Sequence, residues 1–312
     1  MKRKILITGG AGYIGSMLAT ELLKDKKNIV TVIDLLKYNK SSLNHLFFYK
    51  NFRFIREDVT KIKKIKHIIH KNNYIIPLAA LVGAPLCEKN KKMAIKVNLK
   101  SIQDSLKELK KNQKIIYPTT NSGYGVGKKN KFCDEDSPLN PISLYGTTKV
   151  NAEKAVMNYK NSVSLRLATV FGASYRMRSD LMVNNFVKEA IINKKLLIFE
   201  PKFRRNFIHI KDVVRAFCYI INNFSKFKGE IYNLGLSTAN ITKLQLAKKI
   251  KKSLPKIIIK VENFKKDPDQ RDYFVSNKKI EKKGFKASIN LNQGIEELKN
   301  IFLNNDEFID NY

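Results

Sequence analysis

Tyr145 and Lys149 stand four residues apart in the stretch SLYGTTK. On a helix that spacing puts both side chains on one face. A phenol ionises near pH 10, too high for a base at neutral pH, but an ammonium beside it stabilises the phenolate and lowers that value. Such a tyrosine can accept the proton of an alcohol or sugar hydroxyl while hydride leaves the same carbon. Tyr-x-x-x-Lys also arises by chance as an exposed helix pair, so its weight depends on the segments that precede it.

A second cluster of chemistry-bearing residues is YPTTNSGYGVG, which comes after the apolar run KII. Thr120 falls at the end of that predicted strand. In open α/β sheets ligands gather outside the carboxyl ends of the strands, so its hydroxyl is placed to hold the oxygen that Tyr145 deprotonates. The alternative is a polar turn.

The N-terminal stretch ITGGAGYIGS carries Gly9, Gly12 and Gly15 between a predicted strand and a predicted helix. The first glycine permits a tight turn, the second a close backbone approach to a pyrophosphate, and the third helix–strand packing. Tyr13 and Ile14 begin the helix, whose free N–H groups face the anion. Asp34 ends the second strand about 20 residues on, where a carboxylate accepts the ribose hydroxyls and repels a 2′ phosphate. The expected cofactor is therefore NAD rather than NADP, and its nicotinamide charge would help Tyr145 ionise. Asp58, with Val59 behind it, comes after the third strand. It suits either an adenine amino group or a helix N-cap.

These residues need a frame. Continuous apolar runs (KILITG, NIVTVID, NFRFIRED, YIIPLAA, KIIYPTT, SVSLRLATVFG) alternate with helix-period segments such as MAIKVNLKSIQDSLKELKK and SLYGTTKVNAEKAVMNYK. That pattern predicts a parallel sheet covered on both faces. After Gly172 short strands (LLIFE, EIYNLG, KIIIKVE) mix with helices, which predicts a smaller lobe. The expected division is residues 1–172 for the dinucleotide and 173–312 for the substrate, with interleaved segments.

Composition narrows the class. The chain has 312 residues, 43% of them hydrophobic, with no apolar run long enough for a membrane span and a leading KILIT too short for a signal core. A cytoplasmic protein is expected. Cys87, Cys133 and Cys218 show no metal-ligand spacing, so reduced thiols and no metal are expected. The net charge of +33 is spread along the whole chain. It reads as a solvated lysine-rich surface rather than a nucleic-acid site, with attraction of a small anionic substrate as a milder function.

Taken together, TGGAGYIGS, Asp34, PLAAL, TTNSGYG, YGTTK and RRNFIHIKDVV resemble the extended short-chain dehydrogenases/reductases over nearly the whole chain. The resemblance implies a seven-stranded Rossmann sheet, a C-terminal lobe for a nucleotide-activated sugar, and a homodimer through a four-helix bundle. It implies Tyr145 as base, Lys149 as its electrostatic partner and ribose ligand, Thr120 as third catalytic residue, and Leu78, Ala79 and Ala80 lining the cofactor. Pro77 replaces the usual histidine of HLAA. Nucleotide-sugar 4,6-dehydratases of this family carry Asp-Glu after the threonine. Here Asn121 and Ser122 stand there, and neither serves as a carboxyl acid or base. The expected chemistry is oxidation at C4, with or without return of hydride to the other face. A non-catalytic dinucleotide-binding module is the alternative of another class.

Narrower stretches (IIPLAALVGAPLC, YPTTNSGYGVGKK, LATVFG, RMRSDLMVNNF, DPDQRDYFVSN) resemble bacterial GDP-heptose 4-dehydrogenases of capsule biosynthesis. That likeness implies a GDP-sugar substrate. Arg205 and Arg271 are then candidates for its diphosphate, since arginine makes bidentate charge-assisted bonds. Arg176 and Arg178 suit either the substrate or a basic surface loop. Asn184 is a candidate nucleotide contact, and His209 is expected in the core, bracing the neighbouring arginine.

Overall fold

A computed structural model describes residues 2–128, 131–262 and 270–304. Lys129 and the Asp267–Asp269 part of DPDQRDYFVSN lie outside the described residues.

The strands in chain order are β1 (Arg3–Thr8), β2 (Asn28–Asp34), β3 (Phe52–Arg56), β4 (Tyr74–Pro77), β5 (Lys114–Thr120), β6 (Phe132–Cys133), β7 (Ser162–Leu167), β8 (Thr169–Phe171), β9 (Lys195–Phe199), β10 (Arg204–His209), β11 (Glu230–Leu234), β12 (Asn240–Thr242), β13 (Ile258–Glu262) and β14 (Phe274–Val275). The helices are α1 (Tyr13–Leu23), α2 (Ile62–His70), α3 (Ala84–Lys89), α4 (Lys91–Ile95), α5 (Ser101–Lys107), α6 (Leu144–Met157), α7 (Met182–Ile192), α8 (Ile210–Asn222), α9 (Phe224–Phe227), α10 (Lys243–Ser253), α11 (Lys278–Lys282) and α12 (Leu291–Asn304).

The chain divides into two compact units, each assembled from three segments. The first holds 1–120, 143–166 and 214–232; the second holds 121–142, 167–213 and 233–312. The first is built on a seven-stranded sheet in the order β11-β7-β5-β4-β1-β2-β3. Its order reverses beside β1, where dinucleotide folds place their ligand. Ile5, Leu6 and Ile7 of β1 are fully buried, as expected for a central parallel strand covered on both faces. Under α2, α5 and α6 the core includes Ile65, Ile69, Ile115, Tyr117, Ala152 and Val156. Pro77 ends β4, and the ladder resumes when the Leu78 N–H donates to the Thr8 carbonyl at 2.8 Å.

EIYNLG belongs to this large sheet as its edge strand β11, not to the smaller lobe. SVSLRLATVFG forms two strands, not one. The break is at Ala168, whose N–H donates to the Leu234 carbonyl at 2.9 Å, and β8 enters the three-stranded sheet β12-β10-β8. That sheet, the pairs β13-β9 and β14-β6, and helices α7, α10, α11 and α12 make up most of the second unit. Among the described residues no helix is long and apolar enough to cross a membrane.

Candidate active site

In the first unit, the glycine loop is shaped by contacts that leave no room for side chains. Gly9 has φ of 71°, and a Cβ there would meet the Ala79 nitrogen at 2.5 Å. A Cβ on Gly15 would meet the Gly9 carbonyl oxygen at 2.5 Å, because α1 starts directly against the turn. A Cβ on Gly12 would meet only the Gly9 oxygen within 4 Å, at 3.1 Å, so the loop is open on that side. This is the arrangement a pyrophosphate requires: backbone N–H groups at the start of α1, where Tyr13 and Ile14 sit, with no side chain in the way.

Asp34 ends β2 with both carboxylate oxygens engaged. One accepts from the Ala11 N–H at 3.0 Å and the other from the Leu36 N–H at 2.8 Å. A carboxylate has lone pairs for about four such bonds, so ribose hydroxyls can be added. Asp58 is not the helix cap. Its Oδ1 accepts from the Thr60 N–H at 2.8 Å, Val59 lies between, and α2 starts later with Lys61 at its cap.

Leu78, Ala79 and Ala80 come directly after the buried strand β4, and all three are half-buried. A residue not singled out from the sequence fixes the end of this loop. Asn98, 1% exposed, accepts from the Leu81 N–H at 2.8 Å and donates to the Leu81 carbonyl at 2.9 Å. It lies in a π-helical turn, Lys96–Lys100, between α4 and α5. The only signal in the sequence is a single asparagine within the apolar period of that helix.

The candidate acid–base pair sits in the first half of α6. Ser143 caps the helix, its hydroxyl accepting the Gly146 N–H at 3.2 Å, a cap typically worth about 1 kcal/mol. Tyr145 is half-buried and Lys149 is 5% exposed. The Lys149 ammonium lies 4.2 Å from the centroid of the Tyr117 ring on β5. Burial pushes Lys149 down to about 7, and Glu153 works in the opposite direction. Thr120, half-buried, is the last residue of β5.

In the second unit, Asn121–Tyr124 form a 3₁₀ turn. Asn121 is 1% exposed, and neither its amide nitrogen nor its oxygen has a hydrogen-bond partner. Ser122 accepts from the Arg271 guanidinium, and Arg205 donates to the Arg271 carbonyl. Ser122, Arg205 and Arg271 are thus brought together. Arg205 is 1% exposed and also donates to the Arg204 carbonyl at 2.8 Å.

A second network holds Arg176, Arg178 and Asn184. The Asn184 amide oxygen accepts from the Gly172 N–H at 3.0 Å, and its nitrogen donates to the Arg178 carbonyl at 2.8 Å. Arg178 pairs with Asp180, and Arg176 is 2% exposed with Nη1 donating to the Met177 carbonyl at 3.4 Å. Both arginines are buried, so this is not a solvated basic loop. His209 is buried as expected, but it braces Glu297 at 2.8 Å rather than an arginine.

Comparisons with known proteins identify the family. A profile of the NAD dependent epimerase/dehydratase family matches residues 5–235. The chain is 32% identical over 247 residues to an uncharacterized UDP-glucose epimerase, YtcB, of Bacillus subtilis, covering 74% of this chain and 76% of that one. It is 33% identical over 277 residues to dTDP-D-glucose 4,6-dehydratase of Dictyostelium discoideum, covering 80% of this chain but 61% of the relative. Among solved structures, UDP-glucuronic acid 4-epimerase of Bacillus cereus, in complex with UDP-glucuronic acid and NAD, superposes with a TM-score of 0.86 at 25% identity. The match covers 96% of this chain and 99% of that one. With its glycine loop, strand-end aspartate and Tyr-Lys helix in place, the chain belongs to the NAD-dependent epimerase/dehydratase family, with NAD as its cofactor.

Proposed function

We propose that the protein oxidises C4 of a nucleotide-activated sugar, with GDP-D-glycero-α-D-manno-heptose as the substrate, giving a 4-keto sugar nucleotide for capsule or surface polysaccharide synthesis. When bound, NAD supplies the hydride acceptor. Tyr145 takes the proton of the C4 hydroxyl, and Lys149 stabilises the resulting phenolate and hydrogen-bonds the cofactor ribose. Thr120 holds the reacting oxygen, and Gly9, Gly12, Gly15 and Asp34 orient the dinucleotide. Arg205 and Arg271 neutralise the substrate diphosphate; Arg176, Arg178 and Asn184 shape the nucleotide pocket.

The two residues after Thr120 carry this reading. Removing water across C5 and C6 needs an acid and a base beside the ring at workable pKa values. Asn121 has no titratable group, and the Ser122 hydroxyl accepts a bond from Arg271. Return of hydride to the opposite face, giving a C4 epimer, is the second reading. It is favoured by the likeness to 4-epimerases that act on UDP-sugars. The heptose and the guanine base rest on the motif resemblance alone. The homodimer through a four-helix bundle likewise rests on the family resemblance.

The test is a screen of GDP-, UDP-, CDP- and dTDP-sugars with mass spectrometry and NMR of the products. Oxidation removes two hydrogens, epimerisation leaves the mass unchanged, and dehydration loses a water. A 6-deoxy-4-keto product would overturn the reading.

A further inference from the structure

Lys149 is unusual in what surrounds it. The helix period of α6 places Tyr145, Lys149 and Glu153 in a row on one face. Lys149, Glu153 and Tyr117 are 5%, 2% and 0% exposed, so water does little to support the ammonium. A buried charge is costly unless it is paired. Glu153, one turn further along the same face, is the acidic group that acts on Lys149, and it is itself held firmly. The Arg166 Nη2 donates to its Oε1 at 2.8 Å, the Arg166 Nε lies 3.1 and 3.2 Å from its two oxygens, and the Ser164 hydroxyl donates to Oε2 at 2.9 Å. Arg166 is itself 4% exposed.

We propose that Tyr117 and Glu153 are positioning residues that keep Lys149 charged beneath Tyr145. The Tyr117 ring is the π platform, and Arg166 fixes the Glu153 carboxylate. The proposal rests on the reading of Tyr145 and Lys149 as the working pair.

The groups facing Lys149 agree with this assignment. On its own helix they are Tyr145 and Glu153; from β5 comes Tyr117; from β7 Arg166 stands behind Glu153. Burial, then Tyr145 and Glu153, push the Tyr117 phenol well above its ordinary value. Tyr117 therefore stays neutral and offers Lys149 a ring face rather than a proton. A cation over a desolvated aromatic face is attracted by the negative face of the ring quadrupole, and the Lys149 ammonium lies 4.2 Å from the Tyr117 centroid. Glu153 opposes the burial that drives Lys149 down to about 7. Without it, the amine at neutral pH would be mostly uncharged and could not support a phenolate.

The test titrates Lys149 in the full chain without cofactor. Lysine Nζ resonances are followed by NMR with isotopically labelled lysine, and the signal is assigned by its loss in Lys149→Arg. Glu153→Gln should lower the Lys149 midpoint by about one pH unit, since a close opposite charge shifts a pKa by about 1–3 units and Arg166 offsets part of it. Tyr117→Leu should lower it as well, whereas Tyr117→Phe, which keeps the ring, should leave it in place. Glu153→Gln strands Arg166 without its partner, so the paired variant Glu153→Gln/Arg166→Met is measured too and should show a drop in the same direction. Unchanged midpoints in the Glu153 variants, or equal drops in both Tyr117 variants, would overturn the proposal. Full activity in Tyr145→Phe would instead overturn the reading of the base, and would leave the Lys149 titration standing.

Discussion

The Asp34 carboxylate accepts the backbone N–H of Ala11 at 3.0 Å, which ties the end of β2 to the glycine loop after β1. One residue thus shapes the glycine turn and, in the proposed role, also meets the ribose. Asp34→Ala should weaken NAD binding by about tenfold or more, since hydrogen bonds to a charged group are worth about 1.5–3 kcal/mol. NADP binding should weaken less, because its 2′ phosphate no longer meets a carboxylate. Titration calorimetry with both dinucleotides checks this. Equal affinity of the unaltered protein for both would refute the assignment.

Tyr145→Phe keeps the ring and removes the proton acceptor. The rate of the chemical step should fall by about 10²–10⁴-fold, while NAD affinity stays within about threefold, well under the tenfold that 1.4 kcal/mol represents. Single-turnover kinetics beside equilibrium NAD binding separate the two effects.

Glu297 provides a pH dependence in the second unit. Burial alone would push its carboxyl up, but the bonds from His209, Lys211 and the Ala173 N–H outweigh it and hold the group down to about 2. The folded value lies below the ordinary 4.5 of a free glutamate. Its stabilisation is therefore fully present above that value and is lost as pH falls toward 2. Glu297→Gln should be less stable than the parent near neutral pH by about 1–3 kcal/mol, and the gap should close as the pH drops through this window. Urea unfolding at a series of pH values reads it. A gap that does not change with pH would show that the Glu297 charge contributes nothing.

The Tyr117 hydroxyl is buried without a hydrogen-bond partner. Leaving such a group unpaired costs about 1–3 kcal/mol. Tyr117→Phe should therefore raise stability, or leave it within about 0.5 kcal/mol of the parent, the ordinary range of a neutral substitution. Thermal unfolding of the two proteins measures it, and a loss above about 1 kcal/mol would reveal an essential role for the hydroxyl.

The glycine loop, Asp34 and the Tyr145–Lys149 spacing are legible in the sequence because in each the spacing itself is the chemistry. A turn, a strand end or a helix face converts it directly into geometry. Glu153 with Arg166, and Asn98 with the loop after β4, were not legible. Their partners lie on other elements, and each reads in isolation as an ordinary side chain of its own element. The same holds for His209, whose partner Glu297 comes from α12. The run SVSLRLATVFG misled because apolar continuity does not show a break in the ladder. The arginines of the second unit stand out for their charge, yet sequence could not reveal that Arg205 and Asn184 also hold backbone carbonyls.

Neither unit is a continuous stretch of chain, and this has a consequence for synthesis. The edge strand β11 and most of α8 reach the large sheet only after both of the second unit's first two segments have been made. A nascent chain ending at Gly172 would therefore expose the edge of β7, an invitation to mispairing and aggregation. Contacts between segments this far apart in sequence also close slowly. The dinucleotide half is therefore expected to complete only late in translation, and fragments cut at the middle of the chain should be insoluble rather than independently folded.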